Sequence, residues 1–164
     1  MSDLGTLYQT DYAAWAKRHV ELLRARRFAE MDIAHLLDEL SDMSKSERRE
    51  LESRLLILIA HLLKWEHQFH ALSERWREFK GDSWRDTIVE QRKQLAVLLR
   101  QSPGLKSVLA ETILAAYPDA LDLAGKETRL PAETFPAHCP YSAEQLLKDD
   151  FYPVSAGERQ DAER

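Results

Sequence analysis

The side chains best suited to metal chemistry lie close together between residues 61 and 70. His61, His67 and His70 are half of the chain's 6 histidines, and Glu66 stands among them. Imidazole and carboxylate groups are common ligands of zinc and iron. On a helix that turns by about 100° per residue, Glu66, His67 and His70 share a face. These three are candidate metal ligands that need a fourth from another element. The alternative is a polar helix end exposed to water.

The sequence contains no fingerprint of another cofactor. It has no Walker loop, dinucleotide-binding motif, nucleophile elbow or zincin motif. No glutamate precedes a histidine by three residues, so the di-iron signature of helical bundles is also absent. We therefore expect no cofactor, although the residues are compatible with a bound metal ion.

His61 is the candidate for acid–base catalysis. It follows an apolar run, and it could meet Asp38 or Glu39 from a preceding helix and Glu90 or Gln91 from a following one. A histidine held by a carboxylate in a half-buried pocket can act as a general base. The candidate catalytic residues are therefore His61, Glu39, Glu90 and Gln91. The alternative is a histidine at the border of the core, satisfied by one hydrogen bond.

Three further side chains each have two interpretations. Gln91 interrupts an apolar stripe, where a buried amide either fixes the register of packed helices or lines a ligand pocket. Cys139 follows His138, but adjacent side chains rarely face each other, so a catalytic pair would need another histidine. Packing as a small apolar residue is the alternative. Trp76 lies in a polar stretch, and it either marks a contact surface or folds back onto the bundle.

Helical periodicity predicts the elements that must position these residues. A first helix begins at Thr10 or Asp11, and Asp32 caps a short second one. The pattern Ser44–Glu47 predicts a capping box and a new start there, although a continuous helix is also compatible with the sequence. The third helix has the widest apolar arc, formed by Leu51, Leu55, Leu58, Leu62, Trp65 and Phe69 beside Leu56, Ile59 and Leu63.

The second half of the chain continues the pattern. Ser83 caps a fourth helix, and Ser102 caps a fifth with Pro103 at its first position. Pro118 lies inside the fifth helix and either kinks or divides it. Prolines then punctuate the chain before Ser142 and Gln145, which predict a capping box and a short helix. The fold class is all-α: a bundle of about five main helices with a short C-terminal helix after a proline-punctuated segment.

Composition limits the domain organisation and the compartment. The 164 residues predict a single helical domain over residues 1–153, followed by a disordered tail over 154–164. The longest apolar run, Leu55 to Ala60, has 6 residues and is too short for a bilayer. The first residues lack a basic region followed by an apolar run, so we expect no secretion signal. The single cysteine fits a reducing compartment, and we expect a cytoplasmic protein.

The order of several short motifs resembles a known bacterial family. These motifs are SERRELESRL at 46–55, HLLKW at 61–65, SWR at 83–85, CPY at 139–141 and QLL at 145–147. Together they are similar to the family called domain of unknown function 29, over roughly residues 7 to 153. The resemblance implies a small helical protein and no established activity. The chain departs from the family pattern at His35, where an asparagine is expected.

These observations favour a non-enzymatic protein-interaction module, adaptor or regulator, which binds an unidentified protein partner or a second copy of itself. The alternative is a metal-dependent or acid–base enzyme that uses the polar cluster around the third helix. We do not expect nucleic acid as a partner, because the net charge is −5 and one face is not shared by the cations Arg48, Arg49, Arg85, Arg92 and Lys93.

Overall fold

The computed structural model describes residues 3–69, 72 and 81–155. Every regular element among these residues is a helix, which confirms the all-α prediction. We number the α-helices α1 (Asp3–Thr10), α2 (Tyr12–Arg24), α3 (Ile33–Lys64), α4 (Asp82–Gln101), α5 (Leu109–Thr128) and α6 (Ala143–Leu147). Within the described part of the chain, no helix is both long enough and apolar enough to cross a membrane.

Contacts divide the chain into two compact units, with the boundary between Ser46 and Glu47. The first unit contains α1, α2 and the start of α3, and the second contains the rest of α3 with α4, α5 and α6. A single domain over residues 1–153 stays a prediction. Most of the predicted tail, from residue 156 onward, lies outside the described residues.

The first unit begins with a helix that periodicity did not predict. Gly5 and two threonines give the α1 sequence a low helix propensity. The predicted cap, Asp11, follows α1 directly. The Asp11 carboxylate accepts a hydrogen bond from the backbone N–H of Ala14 at 3.0 Å, and so begins α2 as expected. The ring of Tyr8 packs edge-on against Trp15 with centroids 5.0 Å apart, which anchors α1 on α2.

The helix α3 runs without interruption from Ile33 to Lys64. Its start is as predicted, because Asp32 Oδ1 accepts from the backbone N–H of His35 at 3.4 Å. The capping box that Ser44 and Glu47 suggested does not form, and the predicted second and third helices are one. Residues 41–50 contain neither glycine nor proline, so nothing opposes helix propagation there.

The core of the second unit is built on the apolar arc of α3. Its leucines are completely buried except for Leu56, which is partly buried, and they pack with the apolar faces of α4, α5 and α6. The cluster includes Leu51, Leu55, Leu58, Leu62, Ile88, Leu95, Ala116, Ala120 and Leu146. The last turn of the α3 region widens into a π-helix over Trp65–Phe69.

The structure modifies two of the predicted helix starts and confirms a third. The N-cap of α4 is Gly81 rather than Ser83, and it adopts a left-handed conformation with φ of 65°. Pro103 begins a 3-10 helix, Pro103–Val108, and α5 follows it as a separate element. Pro118 does not divide α5, which is continuous across it. The capping box of Ser142 and Gln145 forms as predicted and begins α6.

A buried arginine holds α6 and the chain after it against α4. Arg92 is 3% exposed. Its Nε donates to the carbonyl of Leu146 at 2.9 Å, and its two Nη atoms donate to those of Asp149 and Gln145 at 3.2 and 3.3 Å. Carbonyls at the end of a helix have no partner within it, so the guanidinium supplies the missing donors.

We expect Arg92→Met to lower the free energy of unfolding by about 3 kcal/mol, because it removes the donor of the buried Leu146 carbonyl and those of two part-buried carbonyls. Urea denaturation followed by circular dichroism measures the change. Lys93→Met, at an exposed position on the same helix, is the control and should change the value by less than about 0.5 kcal/mol. Equal effects of the two substitutions would contradict this role for Arg92.

Candidate functional site

Two histidines and an aspartate form a hydrogen-bonded cluster in the first unit. His19 is buried, and its Nδ1–H donates to the carbonyl of Trp15 at 2.8 Å. Its Nε2 accepts from the backbone N–H of Asp32 at 2.9 Å, which fixes a neutral tautomer. The Asp32 carboxylate accepts from His35 Nδ1 at 2.6 Å and from Trp15 Nε1 at 3.3 Å. The chain thus holds an Asp–His pair on a rigid backbone.

The pair is extended by tyrosines from α1 and α2. Tyr8 and Tyr12 donate to the two oxygens of Glu39 at 2.6 and 2.8 Å. The Tyr8 ring stacks on the His35 imidazole with centroids 4.1 Å apart. We call Tyr8, Tyr12, Asp32, His35 and Glu39 the first-unit polar cluster.

Both carboxylates of the first-unit polar cluster are ionised at neutral pH. The hydrogen bonds from Tyr8 and Tyr12 lower the pKa of Glu39, and the bond to Glu39 raises the pKa of Tyr8 to about 12. Burial raises the pKa of Asp32, but hydrogen bonds from His35 and Trp15 outweigh it and leave the pKa below its ordinary value. The cluster therefore carries negative charge, and its tyrosines stay protonated.

The four candidate catalytic residues each have partners of their own. Glu39 belongs to the first-unit polar cluster. In the second unit, Glu90 accepts from Gln94 at 2.8 Å, and Gln91 is buried with its amide oxygen 3.5 Å from the Arg54 guanidinium. The contact of Gln91 with α3 agrees with its structural interpretation. Sequence reasoning did not find His35 or the two tyrosines, although the Asp32–His35 spacing of one helical turn was a local signal.

His61 has the geometry of a border histidine. It is partly buried, and its Nδ1–H donates to the carbonyl of Ile57, one turn earlier in α3, at 2.8 Å. Burial lowers the pKa of the His61 imidazole below its ordinary 6.5, against the opposing effect of that hydrogen bond. The side chain is therefore neutral at pH 7, as a general base has to be.

His61 should make the protein less stable in mild acid. Because the imidazole binds a proton more weakly in the folded chain than in the unfolded one, stability falls as the pH drops below about 6.5. We expect His61→Gln, which can keep the bond to Ile57 without titrating, to show a smaller loss between about pH 7.5 and pH 5. Urea midpoints measured across this range test it, and parallel curves would contradict it.

The proposed metal ligands can be followed only in part. Glu66 is buried, and one of its oxygens accepts from Tyr141 Oη at 2.6 Å. Burial, and then this bond, raise the pKa of Tyr141. The third candidate, His70, lies outside the described residues, as does Trp76. Among the residues that are described, no three His, Cys, Asp or Glu side chains are grouped so that they could hold a metal ion.

Other polar side chains serve the packing of the second unit. Lys64 is buried, forms an ion pair with Glu127 at 2.5 Å and lies 4.7 Å from the centroid of the Trp84 ring. Cys139 packs against the core, and burial raises the pKa of its thiol, which agrees with its interpretation as a small apolar residue. Arg92 is buried too and cannot join a basic surface for nucleic acid.

An exposed apolar stripe lies along the first part of α3. Ile33, Leu37, Leu40 and Met43 are 50%, 60%, 61% and 64% exposed, and we call these four the exposed α3 stripe. Ile33, Leu37 and Leu40 fall within about 60° of one another around the helix, with Met43 at the edge. His35, which contacts Tyr8, points to the other side of α3. The stripe is therefore not used in packing within its own unit.

Comparison with protein-family models gives a match over most of the chain. The family model described as "Domain of unknown function DUF29" matches residues 7–152. No curated protein and no solved structure matches the chain.

Proposed function

The chain belongs to the family described as domain of unknown function DUF29, and we propose that it is a protein-interaction module whose docking surface is the exposed α3 stripe. The observation that carries this proposal is the distribution of exposed apolar side chains. Of the 11 large hydrophobic residues that are exposed in the described part of the chain, 8 precede the unit boundary at Ser46. Isolated exposed leucines are ordinary, but such a concentration is typical of a binding surface.

The spacing of the stripe fits recognition by a helix. Its residues recur at intervals of four and three, so they form a ridge that a helix with the same repeat can pack against. Ile33 to Met43 covers about 15 Å of helix, or about three turns. An adaptor or regulator of this kind acts in the cytoplasm, where a half-buried free thiol such as that of Cys139 persists.

Site-specific photo-crosslinking tests the proposal directly. A photoreactive phenylalanine analogue replaces Leu40 in the native host, and covalent products are identified by mass spectrometry after irradiation. We expect a discrete protein adduct at Leu40. The matched control carries the analogue at Leu114, a leucine of α5 that is 68% exposed, and should give no discrete adduct. The same products from both positions, or none from Leu40, would refute the proposed function.

A second candidate function is acid–base catalysis at His35. The observation that favours it is the bond between Asp32 and His35 Nδ1, since no described group is hydrogen-bonded to Nε2. An aspartate that orients a histidine in this way supports proton transfer at the far nitrogen. We expect hydrolysis of activated neutral esters to be lost in His35→Gln and kept in His138→Gln, at an exposed position. Equal rates in the two variants would exclude this function.

A further inference from the structure

The middle of α3 lacks the polar contacts that hold the helix on either side of it. Residues 40–50 are all exposed to solvent. Glu39 accepts hydrogen bonds from two tyrosines, and Glu47 accepts one from Ser102 Oγ at 2.7 Å. Between these two carboxylates, the one ion pair in the described part of the chain joins Lys45 to Asp42 within the helix itself. The backbone hydrogen bonds of this stretch are therefore covered by no other element.

This stretch is also the part of α3 that opens at the lowest cost. Proteins open locally where backbone hydrogen bonds are exposed and few apolar side chains are packed. Three serines, at positions 41, 44 and 46, propagate a helix less well than alanine or leucine. The ion pair of Lys45 and Asp42 spans 3.9 Å between largely exposed side chains, and such pairs add little stability. The leucine-packed second half of the helix has no such weakness.

The sequence provides the opened chain with an alternative structure that begins at Ser44. In a capping box, a serine side chain accepts from the backbone N–H three residues later, and a glutamate there accepts from the N–H of the serine. Ser44 and Glu47 have this spacing, whereas the residues three positions after Ser41 and Ser46 are Ser44 and Arg49. The continuous helix excludes the box, because a capping residue has to leave the helical backbone conformation.

We infer that α3 contains a built-in break point at Ser44. In a minor form of the protein, the helix ends before Ser44 and starts again there, capped by Ser44 and Glu47. The box satisfies two of the backbone donors that the break releases, and water satisfies the others because the stretch is exposed. The inference does not rest on the proposed function, since Ile33–Met43 is helical in both forms.

The break point makes the shape of α3 sensitive to what binds it. A partner that contacts the helix on both sides of Ser44 binds the continuous form better and raises the population of that form. A partner that contacts one side alone has equal affinity for both forms and shifts nothing. The device therefore distinguishes partners by the length of helix that they cover.

Amide hydrogen exchange in the full chain, measured by NMR, tests the inference. In the broken form the N–H groups of Lys45 and Ser46 have lost their acceptors in the preceding turn, whereas those of Met43 and Arg49 keep theirs. We expect the protection of Lys45 and Ser46, relative to an unstructured chain, to be at least about tenfold lower than that of Met43 and Arg49. Equal protection from Met43 to Arg49 would overturn the inference.

Two alanine variants separate a capped break from general fraying of the stretch. Ser44→Ala should raise the protection of Lys45 about tenfold, because it removes the cap of the broken form and favours the continuous helix. Ser46→Ala is the matched control, since residue 46 is helical in both forms, and should change that protection by less than about twofold. Fraying without a cap responds equally to both substitutions, so equal effects would also overturn the inference.

Discussion

Burial of one leucine stripe is the interaction on which the second unit depends. Leu51, Leu55, Leu58 and Leu62 are all 0% exposed, and each contributes about 2 kcal/mol by removal from water. The apolar positions of α4, α5 and α6 have their common partner in this stripe. Because net stabilities are only about 5–15 kcal/mol, loss of two of these contacts would endanger the unit. Before Ser44, α3 instead carries the exposed α3 stripe.

The buried polar side chains of the second unit are tolerated because the leucine stripe brings their partners to them. Lys64 and Glu127 are 63 residues apart in sequence, and Glu66 and Tyr141 are 75 apart. Arg92 finds its carbonyls more than 50 residues later in the chain. A buried charge without a partner costs several kcal/mol, so these contacts specify one arrangement of the helices.

The sequence allowed most helices to be predicted, because their periodicity and caps are local. Asp11, Asp32 and Ser142 begin helices as their side chains indicated. The box at Ser44 and Glu47 failed because the same residues also propagate a helix well, and a cap there would interrupt a helix of 32 residues. The helix α1 was missed because its stability comes from Tyr8, which depends on contacts with Trp15 and Glu39.

The candidate site was harder to predict than the fold. Glu39 was singled out from sequence, but its partners Tyr8 and Tyr12 are about 30 residues away, and only packing of three helices brings them together. His61 was placed correctly on α3, yet its hydrogen bond is to its own helix rather than to a carboxylate of a neighbour. Periodicity identifies which face a residue occupies. It does not identify which groups on another element meet that face.

The length of α3 has a consequence for synthesis on the ribosome. The contacts of the first unit close early, since Tyr8, His19 and Asp32 all find their partners before residue 40. The leucines of the second half of α3 must wait for α4, α5 and α6, so the chain has to extend to Leu146 before they are covered. At about 5–20 residues per second, that delay lasts several seconds. During this time the nascent chain presents a fully apolar helix face, which is a target for chaperones that hold growing chains.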